Sequence, residues 1–227
     1  MTALDGSTPT AWIVCGVLVA AAYLLGGIPW SLLMGKWVKG IDLRQIGSGN
    51  LGATNVARNL GGRWAFAVFV LDFAKSAIPV AIAALLFTGG AHDIAQVFTG
   101  VAAILGHVYS PYIAFRGGKG IATTAGAAAV MNPWCLLVGT IVFFTVGVLT
   151  RRVSIGSLAI AAIYPPLVLI FYPGRPLNLA FSNGVSALII LAHRANIRRL
   201  VRGEEPKVSW GIFKKDPPPT TSSEPRD

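Results

Sequence analysis

Between Ala11 and His193 the chain is a succession of apolar runs: Ala11 to Met34, Trp64 to Phe87, Ile94 to Phe115, Ala122 to Met131, Trp134 to Thr150, Ser154 to Tyr172 and Asn178 to His193. Crossing the hydrocarbon of a bilayer takes roughly twenty apolar residues as a helix. No water is present there to satisfy an open strand edge, so runs of this kind span as helices. The chain is therefore expected to be an all-α polytopic membrane protein with seven transmembrane segments. Gly26, Gly27 and Pro29 should kink the second half of the first run. Ala122 to Met131 is too short to cross as a straight helix. With Asn132-Pro133 breaking it from the next run, it reads as a short helix out and one span back.

Charge supports that class and orients it. Only 12% of the residues are charged, about half the share of a soluble domain. Seven segments put the two ends on opposite sides. With the N-terminus outside and the C-terminus cytoplasmic, seventeen of the nineteen Lys and Arg fall on the inner side, leaving Arg175 outside and Lys75 in the membrane. That is the bias of inner loops in membrane proteins. The net charge of +10 sits in loops and tail, where anionic lipid headgroups and anionic substrates are the expected partners. Nucleic acid is not expected, because no soluble stretch is long enough for a binding module. No Lys or Arg precedes the first run, so it lacks the n-region of a signal peptide and is expected to stay as a span. Cys15 and Cys135 read as small apolar core residues, and no His, Cys and carboxylate cluster has metal-ligand spacing. Residues 1–207 read as a single membrane domain, and 208–227, rich in Pro, Ser and Thr, as a disordered cytoplasmic tail.

The first polar interruption, Ile46 to Gly61, reads IGSGNLGATNVARNLG. Its glycines let a backbone approach a ligand closely. Ser48, Asn50, Thr54 and Asn55 supply neutral hydrogen-bonding groups, and Arg58 a permanent cation. The combination suits phosphate. Gly47-Ser-Gly49-Asn-Leu-Gly52 also matches a dinucleotide fingerprint, with Asp72 about twenty residues on, but that fingerprint needs a strand and a βαβ unit around it. The other reading of the stretch is an ordinary turn-rich loop.

Two further polar stretches follow. In RGGKG, the glycines 117, 118 and 120 flank Lys119, so amides and an ammonium could meet one anion. It is no Walker A motif, because Gly120 stands where Ser or Thr is needed. His193, Arg194 and Asn196 end the last run. Within the runs, Asp72 and Lys75 share a helix face at i,i+3. Asp72 and His107 each lie eight residues from the same membrane face, about 12 Å deep at the helical rise. They can share one buried polar layer, which reads as structural.

GSGNLGATNVAR, GHVYSPYIAFRGGKGIAT and HRANIRRLVRGEE, in this order between the apolar runs, resemble the bacterial acyl-phosphate:glycerol-3-phosphate acyltransferase family, PlsY. The resemblance covers Ala11 to Lys207. It implies acyl transfer from a fatty acyl phosphate to the 1-hydroxyl of glycerol 3-phosphate, in the bacterial plasma membrane with the site facing the cytoplasm and without a cofactor. By position, Ser48, Arg58, Lys119 and His193 are expected to carry catalysis. Gly49, Asn50, Thr54, Asn55, Gly117, Gly118, Gly120 and Asn196 are expected to bind substrate. The family usually has an acidic residue where this chain has Ala195.

The chemistry of the residues fits that implication. Both substrates are phosphate-bearing anions, and phosphate is a good leaving group. No His-x4-Asp dyad of other acyltransferases exists, so the hydroxyl proton is expected to go to His193 or to a substrate phosphate. The rival from another class is a small membrane anion or lipid-phosphate transporter, whose polar groups would lie near midplane and on both faces. An enzyme of the same shape using acyl-CoA, or hydrolysing a lipid phosphate, is the second rival.

Overall fold

The computed structural model describes residues 4–208. The expected tail therefore lies, apart from Val208, outside the described residues. Ten α-helices run in order: α1 Pro9–Gly27, α2 Trp30–Lys39, α3 Ala53–Leu60, α4 Gly62–Leu86, α5 Gly89–Val108, α6 Ile121–Met131, α7 Pro133–Thr150, α8 Val153–Phe171, α9 Pro176–Ala192 and α10 Arg194–Val201. A 3-10 turn covers Pro111–Ile113.

Local chemistry sets several boundaries. The Thr8 hydroxyl accepts from the Ala11 amide, and Pro9 supplies a helical φ at the first position of α1. The run that opens the chain breaks at Ile28-Pro29, because proline carries no amide to continue the ladder. Gly40, with φ 66°, closes α2 in the left-handed region.

The span count differs from the sequence expectation. Among the described residues, five segments are long and apolar enough to cross a bilayer: Pro9–Lys39, Gly62–Leu86, Gly89–Ile113, Pro133–Thr150 and Val153–Phe171. A sixth is added if α9 and α10, bent by 58° at His193, count as one. The expected seventh, α6, has only eleven residues. At about 1.5 Å per residue that is roughly half the hydrocarbon thickness. It ends at buried Asn132, whose side-chain oxygen accepts from the Tyr164 hydroxyl in the middle of α8 at 3.1 Å.

Helices approach most closely where side chains are absent. A methyl at Gly26 of α1 would lie 2.2 Å from the Ala103 carbonyl of α5, and one at Gly106 of α5 would lie 2.1 Å from the Tyr23 carbonyl of α1. Gly126 of α6 meets the Phe73 carbonyl of α4 in the same way, at 2.1 Å. Small residues at membrane helix interfaces permit such backbone contact. The main core joins Val80, Ile104, Ala127, Tyr164, Val168, Phe181, Val185 and Ile189 across α4 to α9. A second cluster, including Leu32, Leu43, Leu51, Val56, Val68 and Ile113, packs beneath the first glycine-rich loop. The outward faces carry exposed Ile13, Val17, Leu85, Leu149, Ile170 and Leu191, as lipid contact requires.

Candidate functional site

The first stretch is a loop closed onto itself. Asn55, 1% exposed, donates from Nδ2 to the carbonyls of Leu43 (3.0 Å) and Ile46 (3.1 Å). Its Oδ1 accepts from the Ser48 amide at 3.3 Å and from Asn59 Nδ2 at 3.1 Å. The Asn55 side chain is thus engaged in shaping the loop, and it serves the Ser48 backbone rather than facing outward. Gly47 and Gly49, at φ 65° and 67°, allow the reversal. The Ser48 hydroxyl, exposed, accepts weakly from the Asn50 amide at 3.4 Å. Arg58 lies exposed in the last turn of α3. Among the described residues, Ser48 and Thr54 make no side-chain hydrogen bond to the second or third stretch.

The second stretch departs from expectation in one respect. The Gly117 amide donates to the Val108 carbonyl (2.9 Å) and the Gly118 amide to the His107 carbonyl (3.1 Å). These two donors close the C-terminal end of α5 and do not point at a ligand. The physical reason is that the last carbonyls of a helix need partners. Gly120, at φ 82°, caps α6 without a side-chain acceptor, so the first turn of α6 opens beside Lys119. The second loop also touches the first, since a methyl at Gly118 would lie 2.9 Å from the Leu51 carbonyl.

The third stretch completes the group. Lys119 Nζ donates to Asn196 Oδ1, and Asn196 Nδ2 donates to Glu205 Oε1 at 2.6 Å. Arg199 Nε pairs with Glu205 Oε2 at 2.7 Å. The main chain of Glu205 accepts in turn from Arg152 Nε at 3.2 Å, which pins the segment after α10 to the start of α8. Burial pushes the Lys119 ammonium down to about 8; Glu205 opposes this, while nearby Arg199 and Arg58 add to it. Arg58 is thereby close enough to act on Lys119. Burial resists ionisation of Glu205, but hydrogen bonds from Asn196 and Arg199 hold its carboxyl below the usual range.

His193, 2% exposed, lies at the bend between α9 and α10. Its Nδ1 sits 2.8 Å from the Ile189 carbonyl. A carbonyl can only accept, so Nδ1 carries a proton, and in the neutral ring Nε2 then keeps its lone pair.

Sequence reasoning passed over Glu205 and Arg199. Glu205 is the carboxylate that holds Asn196, and a lone acidic pair in the otherwise basic segment after His193 was the available signal. Lys119, Asn196 and His193 do gather from stretches far apart in sequence.

Membrane-length helices with a half-buried cationic cluster at one end define an integral-membrane protein whose site suits a small anion. The family described as Glycerol-3-phosphate acyltransferase matches residues 16–203, and the chain belongs to that family. A glycerol-3-phosphate acyltransferase of Anaeromyxobacter sp. (strain Fw109-5) is 42% identical over 194 residues, covering 85% of this chain and 95% of the relative. One from Aquifex aeolicus (strain VF5) is also 42% identical, covering 83% and 96%. The crystal structure of PlsY (YgiH), an integral membrane glycerol 3-phosphate acyltransferase in its glycerol 3-phosphate form, superposes with a TM-score of 0.79. It is 38% identical, covering 86% of this chain and 96% of that one. Its lysophosphatidic acid form superposes at 0.77.

Proposed function

We propose that this chain transfers a fatty acyl group from an acyl phosphate to the 1-hydroxyl of glycerol 3-phosphate, yielding 1-acylglycerol 3-phosphate and inorganic phosphate for phospholipid synthesis. The observation that carries the reading is the cationic group around Lys119. It is held by Asn196, lies near Arg58 and Arg199, and opens beside the uncapped first turn of α6. Such a group favours phosphate oxygens through charge-assisted hydrogen bonds and a helix N-terminus.

The hydroxyl oxygen of glycerol 3-phosphate attacks the acyl carbonyl carbon, and the bond from that carbon to the phosphate oxygen breaks. Inorganic phosphate leaves with the bonding pair. Its developing charge falls on Lys119 and Arg58, and Ser48 and Asn50 are the neutral groups assigned to the first loop's share of the substrate. Stabilising charge that appears in the transition state is what accelerates such a step. The hydroxyl proton passes to His193 Nε2 or to a phosphate oxygen of the substrates. Thr54, Gly49 and Gly120 line the two loops, while Asn55, Gly117 and Gly118 shape them.

In this reading residues 1–207 form one membrane domain of seven segments in the bacterial plasma membrane. The N-terminus is outside and the site lies on the cytoplasmic face, as the distribution of Lys and Arg supports. The acyl chain lies in the bilayer.

The test is lysophosphatidate formation by purified protein, supplied with acyl phosphate or acyl-CoA of matched chain length. Acyl phosphate should be the faster donor, because a thioester offers no phosphate for the cations to hold. Faster acylation from the thioester would overturn the donor assignment.

A further inference from the structure

Three buried charged or titratable side chains play no part in the transfer just described. Asp72 and Lys75 of α4 are 3% and 7% exposed, and His107 of α5 is 7% exposed. Lys75 Nζ lies 2.8 Å from Asp72 Oδ1, and His107 Nδ1 lies 3.6 Å from the same oxygen. Charges in hydrocarbon are expensive, and a buried ion pair is weak evidence for stability alone.

The triad reaches two other parts of the molecule. Lys75 Nζ donates to the Ile28 carbonyl at 3.2 Å, which also accepts from the Trp30 amide at 3.1 Å at the break between α1 and α2. Beside it the Ser110 hydroxyl donates to the Gly27 carbonyl at 2.6 Å. On the other side, His107 meets the second glycine-rich loop twice. Its carbonyl takes the Gly118 amide, and its ring packs so closely that a methyl at Gly118 would lie 2.2 Å from Nε2. A cavity of about 10 Å³ lies between Ile28, Asp72, Lys75, His107 and Gly118, which leaves room for one water at most. Asp72 lies within ion-pair distance of the imidazole and the imidazole packs against Gly118, so a chain of contacts runs from Asp72 through His107 to Gly118, one residue from Lys119.

We propose that Asp72, Lys75 and His107 form a positioning device that sets the height of the Arg116–Gly120 loop, and with it the place of the Lys119 ammonium. Asp72 and Lys75 fix the imidazole against the α1–α2 break; the imidazole fixes Gly118. This rests on the reading of Lys119 as a phosphate contact, and the experiment separates the two.

Purified full-length protein carrying His107→Gln, the double change Asp72→Asn with Lys75→Met, or Lys119→Met is compared with wild type. The readings are KM for glycerol 3-phosphate, kcat, Tm and amide hydrogen exchange. Mispositioning of a charge-stabilising group by a fraction of an ångström should lower kcat by about tenfold or more in the first two variants, with KM for glycerol 3-phosphate changing less. Exchange should quicken at residues 116–120 and stay unchanged in the helices. The double change leaves no buried charge uncompensated, so it keeps the protein folded where a single change fails. Wild-type kcat and exchange in a folded variant would overturn the proposal. So would exchange rising through all helices as Tm collapses in both, which is the mark of a purely structural role. A Lys119→Met variant with wild-type kcat would instead overturn the phosphate assignment, whatever His107 does.

Discussion

At the scale of single residues, Lys119 is the group on which the proposed chemistry turns, and its environment makes the protonation state matter. Its ammonium is held at about 8, chiefly by burial. The charge is therefore complete below that value and is lost as pH rises through it. kcat/KM for glycerol 3-phosphate should fall on the alkaline side with a break near 8. Lys119→Arg, charged throughout this range, should lack the break even if its turnover is lower. Lys119→Met should lose activity while remaining monodisperse, because the charge serves an anion and not the fold. A pH profile without an alkaline limb in the wild type would show that a charged Lys119 is not required.

Asn55 and Gly118 illustrate what residue types alone do not disclose. Both were expected to face substrate, since amides of either kind suit phosphate. The structure turns them inward, Asn55 onto the Leu43 and Ile46 carbonyls and Gly118 onto the end of α5. A donor goes to the nearest unsatisfied carbonyl when one is buried beside it, because an unpaired buried carbonyl costs more than the bond to a ligand returns.

At the scale of elements, the bundle depends on helices meeting backbone to backbone. Gly126→Ala would drive a methyl to 2.1 Å from the Phe73 carbonyl, and neither main chain can yield cheaply. Overpacking of this kind costs about 1–3 kcal/mol. The variant should unfold at a clearly lower temperature in detergent, while the same change at Gly184, which has nothing within 4 Å, should leave Tm unchanged. Equal Tm values for the two variants would show that the α4–α6 approach carries no stability. The apolar runs announced these helices, but the sequence did not announce which faces touch. Several helices are apolar nearly all round, so periodicity offers no stripe from which to read a partner.

At the scale of the whole molecule, the proposed topology places Ser7 and Glu204 on opposite sides of the membrane. With Cys15 and Cys135 buried, Ser7→Cys and Glu204→Cys can be labelled in intact cells by an impermeant thiol reagent. Ser7→Cys should react without permeabilisation and Glu204→Cys only after it. Labelling of both from one side would overturn the seven-segment arrangement and would favour six crossings, the number reached when α6 does not cross and α9 with α10 counts as one.

The sequence by itself determined the class of fold, because membrane-length apolar runs exclude any architecture with unsatisfied backbone. It also pointed to the family, because its three polar stretches, in their order between the apolar runs, resemble the motifs of that family. It even placed Asp72 and His107 at one depth, since helical rise converts sequence distance into height. Which polar groups face inward, and that Glu205 grips Asn196 while Asn196 holds Lys119, only the tertiary structure decided. Those partners are 77 and 9 residues apart: Lys119 lies in the loop before α6, Asn196 in α10 and Glu205 in the segment after it. Nothing local couples them, so their meeting depends on how α5, α6, α9 and α10 pack.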